Sequence, residues 1–252
     1  MFTRAIARKP GRNFAGGLTT AGLGTPDYDT IFLQHKDYVE TLEVIGLEVT
    51  VLDALSGFPD AYFVEDTAVV FEEAAVLTRP GAPSRLKEAE EIRPDLEKYK
   101  TIHPIEAPGT IDGGDVLQMG RRFFVGISER TNKEGAEQFK SILSGYGYET
   151  TFVSVSKGLH FKSSVNAIGD EALILTREFA DMDIFKGFDK LVLNDGEELA
   201  ANTLRINDAL VTPVGFPKVM EQLKQRADRI FPLDVSEVQK MDGGLTCLSL
   251  RF

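Results

Sequence analysis

The sequence predicts an α/β fold made of five repeats, each reading strand, strand, helix, strand (ββαβ). Three observations predict it. Short apolar runs come in pairs across tight polar turns, as hairpins do. Helical periodicity, then one more short apolar run, follows most of these pairs. The pattern recurs at a period of roughly 40 to 50 residues, which suits stacked or radial units. A doubly wound sheet is the competing architecture. It needs a helix between most successive strands, and the hairpins break that rule.

The elements follow in order. The first hairpin joins residues 65–71 to 74–78 across Glu72-Glu73. The second joins 114–119 to 123–126 across Gly120-Arg121. The third joins 164–168 to 172–175 across Gly169-Asp170, and the fourth joins 202–206 to 209–212 across Asn207-Asp208. The fifth unit is split. Residues 247–252 supply one of its strands and residues 2–7 another. A unit shared between the chain ends closes a ring and hides sheet edges. Helices are expected over 28–45, 85–99, 132–143 and 217–227, although Pro94 interrupts the second. Strands are expected after them at 48–52, 101–105, 150–155 and 230–233.

Composition narrows the function. The chain has 252 residues, 42% hydrophobic and 27% charged, an ordinary globular balance. Length alone allows one large domain or two small ones. No run approaches the roughly 18 apolar residues of a membrane span. Residues 1–10 are too short and too charged to read as a signal peptide. One cysteine without such a signal suggests a reducing, cytoplasmic setting. A net charge of −11 argues against nucleic acid and is compatible with a cationic ligand.

Residues 11–25 stand apart with five glycines. No strand leads into a P-loop here and no Gly-Lys-Ser/Thr ends it, so the segment does not read as a phosphate site. It is either a mobile loop or a lid.

The lone cysteine, Cys247, is either a small buried apolar residue or a nucleophile on a tight glycine turn. Register decides between these readings. Polar residues recur where each first strand begins: Asp60, Glu65 and Asp66, then Asp112 and Asp115, then His160, then Cys247. If five units surround an axis, Cys247, His160, Asp112, Glu65 and Asp66 converge on one pocket. The set is chemically coherent. A thiolate attacks, an imidazole moves protons, and a carboxylate orients the imidazole. Further carboxylates beside a thiolate suit a planar cation, because they pair a guanidinium fork bidentately. Taken singly, Asp112 and Asp115 around two glycines could be an ordinary turn. His35 and His103 read as core or surface histidines.

Four stretches carry a family resemblance: Phe63-Val64-Glu65-Asp66-Thr67-Ala68, Asp112-Gly113-Gly114-Asp115-Val116, Leu159-His160, and Asp242-Gly243-Gly244-Leu245-Thr246-Cys247. Together they resemble the dimethylarginine dimethylaminohydrolases of the guanidino-group-modifying (pentein) superfamily. The resemblance implies a five-bladed α/β propeller with pseudo-five-fold symmetry, one catalytic domain over residues 1–252. It implies Cys247 as nucleophile, His160 as general acid and base, and Asp112 as the carboxylate partner of His160. Glu65 and Asp66 would hold the guanidinium, and Asp60 with the Leu18 carbonyl would take the α-amino group. Arg85 and Arg130 would take the α-carboxylate, and the Met241 backbone is a further substrate contact. Leu18 lies in the glycine-rich segment, which favours the lid.

The reaction implied is hydrolysis of Nω-methylated arginine to citrulline and an amine through a covalent thiouronium, with no metal or organic cofactor. The expected partner is a small cationic amino acid, with no nucleic acid and no membrane, and a homodimer is a family-level expectation. Rival readings use the same machinery on arginine, agmatine or citrulline. Arginine deiminases usually carry an inserted helical region that this chain lacks, and paired arginines favour an amino acid over agmatine. A rival of another class is a non-catalytic ring such as the ribosome anti-association factors, against which Cys247, His160 and Asp112 speak.

Overall fold

Each apolar pair forms an antiparallel hairpin whose second strand becomes the middle of a three-stranded sheet. The computed structural model describes residues 1–156 and 159–252. The chain begins with β1 (Arg4–Arg8), α1 (Tyr28–Ile45) and β2 (Glu48–Leu52). Then come β3 (Ala68–Val70), β4 (Ala74–Leu77), α2 (Glu88–Leu96) and β5 (Thr101–Pro104). The third set is β6 (Val116–Met119), β7 (Arg122–Ile127), α3 (Lys133–Ser144) and β8 (Glu149–Ser154). The fourth is β9 (Val165–Ala167), β10 (Ala172–Leu175), α4 (Arg177–Ala180) and β11 (Asp189–Val192). The fifth is β12 (Leu204–Ile206), β13 (Ala209–Pro213), α5 (Pro217–Leu223) and β14 (Arg229–Leu233). α6 (Ser236–Gln239) leads to β15 (Ser249–Arg251), which completes the first sheet.

The register repeats. β1 pairs antiparallel with β15, Ile6 opposite Leu250, and parallel with β2, Ile6 opposite Thr50. The other middle strands, β4, β7, β10 and β13, likewise pair antiparallel with the strand before and parallel with the strand after. Parallel partners cannot be joined by a tight turn, so a helical crossover is required between them. The middle strands are the most buried; every residue of β4 and β13 is buried. Helices seal the sheets to one another. α1 places Ile31, Tyr38 and Leu42 in one core with Leu204, Ile206 and Val211 of β12 and β13. α3 places Ala136, Phe139 and Leu143 against Phe71, Val76 and Phe123. Among the described residues, no helix is long and apolar enough to cross a membrane.

The structure corrects the expected elements in three places. The unit containing β9 and β10 has a helix and a third strand that periodicity did not mark. Its crossover is the four-residue α4 plus a 3₁₀ turn, Asp183–Phe185, anchored by the buried rings of Phe179 and Phe185 rather than by a regular helical stripe. The helix expected over 85–99 is shorter; a separate 3₁₀ turn, Pro83–Arg85, precedes α2 and holds Arg85. Most consequentially, inner strands are entered through 3₁₀ turns rather than beginning as strands. These are Val64–Thr67, Gly113–Asp115, Phe161–Ser163, Glu198–Ala201 and Thr246–Leu248. A strand would send the adjacent Glu65 and Asp66 to opposite faces. The tighter turn buries both.

These turns touch one another. Val64–Thr67 contacts Gly113–Asp115 and Thr246–Leu248; Gly113–Asp115 contacts Phe161–Ser163, which contacts Glu198–Ala201. Asn202, just beyond the Glu198–Ala201 turn, links to the last. Its Oδ1 accepts from the Thr246 N–H at 2.9 Å, and its Nδ2 donates to Thr246 Oγ1 at 3.2 Å and the Lys162 carbonyl at 3.3 Å. Asn202→Ala would strand the buried Thr246 N–H. We expect a loss of about 1 to 3 kcal/mol in chemical denaturation, and a loss of activity that exceeds that of surface controls because the Cys247 turn loosens.

Candidate active site

Close backbone approach, made possible by glycine, assembles the site. A Cβ on Gly113 would overlap the Glu65 carbonyl, and one on Gly114 would meet the His160 ring at 2.6 Å and the Asp66 carboxylate at 2.8 Å. Neither glycine has a positive φ. Asp112-Gly113-Gly114-Asp115 is therefore a packing surface for the next turns, not a turn that needs glycine's backbone freedom. Near Cys247 the same logic holds. A Cβ on Gly243 would overlap the Phe63 ring, and one on Gly244 would overlap the Asn202 amide.

His160 is buried just ahead of the Phe161–Ser163 turn. Its Nε2 lies 2.9 Å from Asp112 Oδ2, and its Nδ1 lies 3.9 Å from Asp66 Oδ1. Asp112 is fixed in turn by the Gly81 N–H, which donates to Oδ1 at 2.7 Å. Burial works against a charged imidazole, but Asp66 first, then Asp112 and Asp115, outweigh it and lift His160 to about 9. The ring is thus imidazolium at neutral pH. Asp115 braces the arrangement from behind. It accepts the Phe161 N–H at 2.8 Å and the hydroxyls of Ser128 and Thr131 at 2.6 Å each.

Asp66 is the most heavily committed carboxylate. It accepts from Arg85 Nη1 at 2.6 Å and from the Gly114 N–H at 2.9 Å. Burial would raise it, yet His160 and Arg85 pull it down to about 2. Arg85 is itself buried and donates on several sides. Nε reaches Glu88 Oε2 at 2.9 Å, and Nη2 reaches the carbonyls of Asp60 at 3.3 Å and Phe63 at 3.1 Å. The Cys247 thiol is pushed up to about 12, by burial first and then by Glu65 and Asp66. Among the described residues no hydrogen bond joins it to His160. A cavity lies between them instead.

Nine of the ten residues to which the resemblance gives a role line that cavity: Leu18, Asp60, Asp66, Arg85, Asp112, Arg130, His160, Met241 and Cys247. Phe63, Leu159, Asp242 and Gly243 complete its wall. These four lie in the motifs already noted; Phe63, Leu159 and Gly243 carry no chemical signal of their own, and the Asp242 carboxylate accepts the Thr20 hydroxyl. Glu65 is the exception. It sits behind the wall, paired with Lys162 Nζ at 2.7 Å and Arg251 Nη2 at 3.1 Å, with Oε2 buried and unpartnered among the described residues. Neither cation was apparent from sequence, because Lys162 and Arg251 are brought to Glu65 only by the fold. Asp60 accepts the Leu18 N–H at 3.1 Å, and burial raises its carboxyl above the usual range. Arg130 is half-buried, and among the described residues its guanidinium makes no hydrogen bond or ion pair.

The glycine-rich segment covers one side. Thr19 Oγ1 donates to the Lys240 carbonyl at 2.8 Å, and Thr20 Oγ1 donates to Asp242 Oδ2 at 3.0 Å. The cavity is partly open and has a volume of about 20 Å³, room for a water rather than an amino acid. A hollow of about 640 Å³ adjoins it and shares Leu159, Asp242 and Gly243. Asp66, Asp112 and His160 bring ligand-capable atoms within 4.8 Å of one another. Arg85, backbone N–H groups and the imidazole already occupy them, so they form an ion-pair network rather than a vacant metal cage. His35 and His103 lie away from the cavity lining. His35 is buried, with Nε2 unpartnered among the described residues, and His103 meets the Tyr146 hydroxyl at 2.7 Å.

Three outcomes follow from this electrostatics. Arg85→Ala would leave Asp66 and Glu88 buried without their cation and should cost about 3 to 5 kcal/mol in chemical denaturation. Arg130→Ala should change stability by less than about 0.5 kcal/mol. His160, raised from 6.5 to about 9, contributes stability that is fully present below pH 6.5 and lost as pH rises through about 9. Denaturation at pH 6 and pH 9 should therefore show a fall that His160→Gln reduces.

Comparison with known proteins places this geometry in a family. Residues 28–188 match the family model described as "N,N dimethylarginine dimethylhydrolase, eukaryotic". The N(G),N(G)-dimethylarginine dimethylaminohydrolase of Pseudomonas aeruginosa is 37% identical over 254 residues, covering 100% of both chains. A structure of the P. aeruginosa protein, a cysteine-to-serine mutant complexed with citrulline, superposes with a TM-score of 0.98 at 36% identity over 100% of both chains. The N-terminal domain of the cyanobacterial arginine dihydrolase ArgZ shares the fold, with a TM-score of 0.90 at 16% identity, over 100% of this chain and 98% of that one. The chain belongs to the dimethylarginine dimethylaminohydrolase family.

Proposed function

We propose that this protein hydrolyses Nω-methylated arginine to citrulline and methylamine or dimethylamine, with Cys247 as nucleophile. The observation that carries the reading is one cavity bordered by Cys247, by the His160–Asp112 pair and by Asp66. Family membership supports the substrate class: the P. aeruginosa relative, 37% identical, is named for dimethylarginine.

The chemistry follows from the charges. The thiol of the free protein is poorly ionised, because burial and two carboxylates oppose a thiolate. A guanidinium seated beside Asp66, with Glu65 behind the wall, brings positive charge to the same place and favours the thiolate. The thiolate attacks the guanidinium carbon. The bond from that carbon to the methylated nitrogen breaks, and the nitrogen leaves as the amine after taking a proton from the His160 imidazolium. A covalent S-alkylthiouronium remains on Cys247. Neutral His160 then takes a proton from water, which attacks the same carbon. The carbon–sulfur bond breaks and citrulline departs. Asp112 keeps the ring aimed and stabilises its charged form. Every step is served by side chains of this chain, with no metal or cofactor.

At the far end of the substrate, Asp60 and the Leu18 carbonyl take the α-amino group, and Arg130 with Arg85 takes the α-carboxylate. The cavity as it stands is too small for the substrate, and the 11–25 segment that covers one side of it acts as a lid. The five sheets are read as blades of one closed propeller, a single catalytic domain over residues 1–252. The run of contacts from turn to turn and the Asn202–Thr246 bonds support that closure. A cytoplasmic location and a homodimer belong to the same reading.

The test is release of citrulline and amine from dimethylarginine, monomethylarginine, arginine and agmatine, assayed side by side. The methylated arginines should be preferred. Cys247→Ser should lower turnover by about a thousand-fold or more while the thermal melt is kept. Turnover surviving in Cys247→Ser would end the mechanism. Arg130→Ala should raise KM about 10- to 100-fold, the worth of a charge-assisted hydrogen bond, with kcat nearly unchanged.

A further inference from the structure

Glu88 is the first residue of α2, where an acidic side chain ordinarily faces solvent and favours the helix N-terminus. Here it is 2% exposed. Its carboxylate turns away from the helix and grips Arg85, Oε2 lying 2.9 Å from Nε and 2.8 Å from Nη2. The other edge of Arg85 meets Asp66 through Nη1 at 2.6 Å. Arg85 borders the cavity, whereas Glu88 does not.

A guanidinium is a rigid planar fork with five N–H donors. Glu88 takes the Nε side, the carbonyls of Asp60 and Phe63 take Nη2, and Asp66 takes one proton of Nη1. One Nη1 proton remains unassigned among the described residues. Fixing the Nε edge of a planar fork fixes the direction of that remaining proton.

We propose that Glu88 is a positioning residue: by holding Arg85 from behind, it sets the enzyme's preference for ligands that carry an α-carboxylate. This rests on the reading that Arg85 helps to hold the substrate carboxylate.

The experiment compares dimethylarginine with its carboxylate-free analogue, Nω,Nω-dimethylagmatine. Each is assayed as substrate or, if unreacted, as competitive inhibitor. Wild type is set against Glu88→Gln, which keeps size and an acceptor oxygen but loses the charge. KM for dimethylarginine should rise about tenfold or more, with kcat within about twofold. The constants for the analogue should stay within about twofold, so the preference for the carboxylate collapses. Equal losses on both compounds, as a merely structural role would give, overturn the proposal, and so does no change on either. If Glu88→Gln does not fold, Glu88→Asp, which withdraws the charge by one methylene, carries the same comparison. A wild type inert toward dimethylarginine would instead overturn the function. The two compounds could then still be ranked by their protection of Cys247 from alkylation, which reads Glu88 independently.

Discussion

The structure depends on how buried carboxylates are paired. Asp66 stands between the Arg85 guanidinium and the His160 imidazole, Asp112 holds the far side of that imidazole, and Glu65 leans on Lys162 and Arg251. An isolated charge at such depth is costly, and each acid here survives because a cation or N–H donor faces it. Apart from Arg85, which lies in the same repeat as Asp66, the partners come from different repeats. Correct pairing therefore requires that the 3₁₀ turns meet in register, and the packing of one turn fixes the chemistry of the next.

The same pairing sets reactivity. In the free protein the carboxylates favour a charged histidine and disfavour a charged sulfur. The acid is ready and the nucleophile is latent. In the proposed mechanism a bound cation reverses the second condition, which ties ionisation of Cys247 to the ligand that it attacks. On that reading the thiol stays quiet until a guanidinium arrives.

Much of the architecture could be read from residue pattern. The hairpins, the split unit and the long helices α1 and α3 all carry clear periodicity; in the structure Asp27 and Asn132 cap those helices, each accepting a backbone N–H at 2.8 Å. The crossover and last strand after β10 could not be read, because that crossover is held by two phenylalanine rings and not by a stripe. Repeat register pointed to Asp60, Asp66, Asp112, His160 and Cys247, whereas Leu18, Arg85, Arg130 and Met241 came only with the family resemblance. Positions that act through others were not found. Glu88 looks like a helix-start acid, Lys162 like a solvated lysine, and Gly113 and Gly114 like turn formers. Only packing shows that the glycines make room for Glu65 and His160, and that Glu88 and Lys162 each answer a buried charge.

Thiolate absorbance of Cys247, followed against pH with and without an unreactive guanidinium ligand, reads the link between cation and sulfur directly. In the free protein the thiol should resist ionisation well above the ordinary cysteine range of about 8.5, and the bound cation should draw its titration down toward neutrality. A thiol that titrates in the ordinary range and ignores the ligand would mean that the acidic wall does not govern the nucleophile.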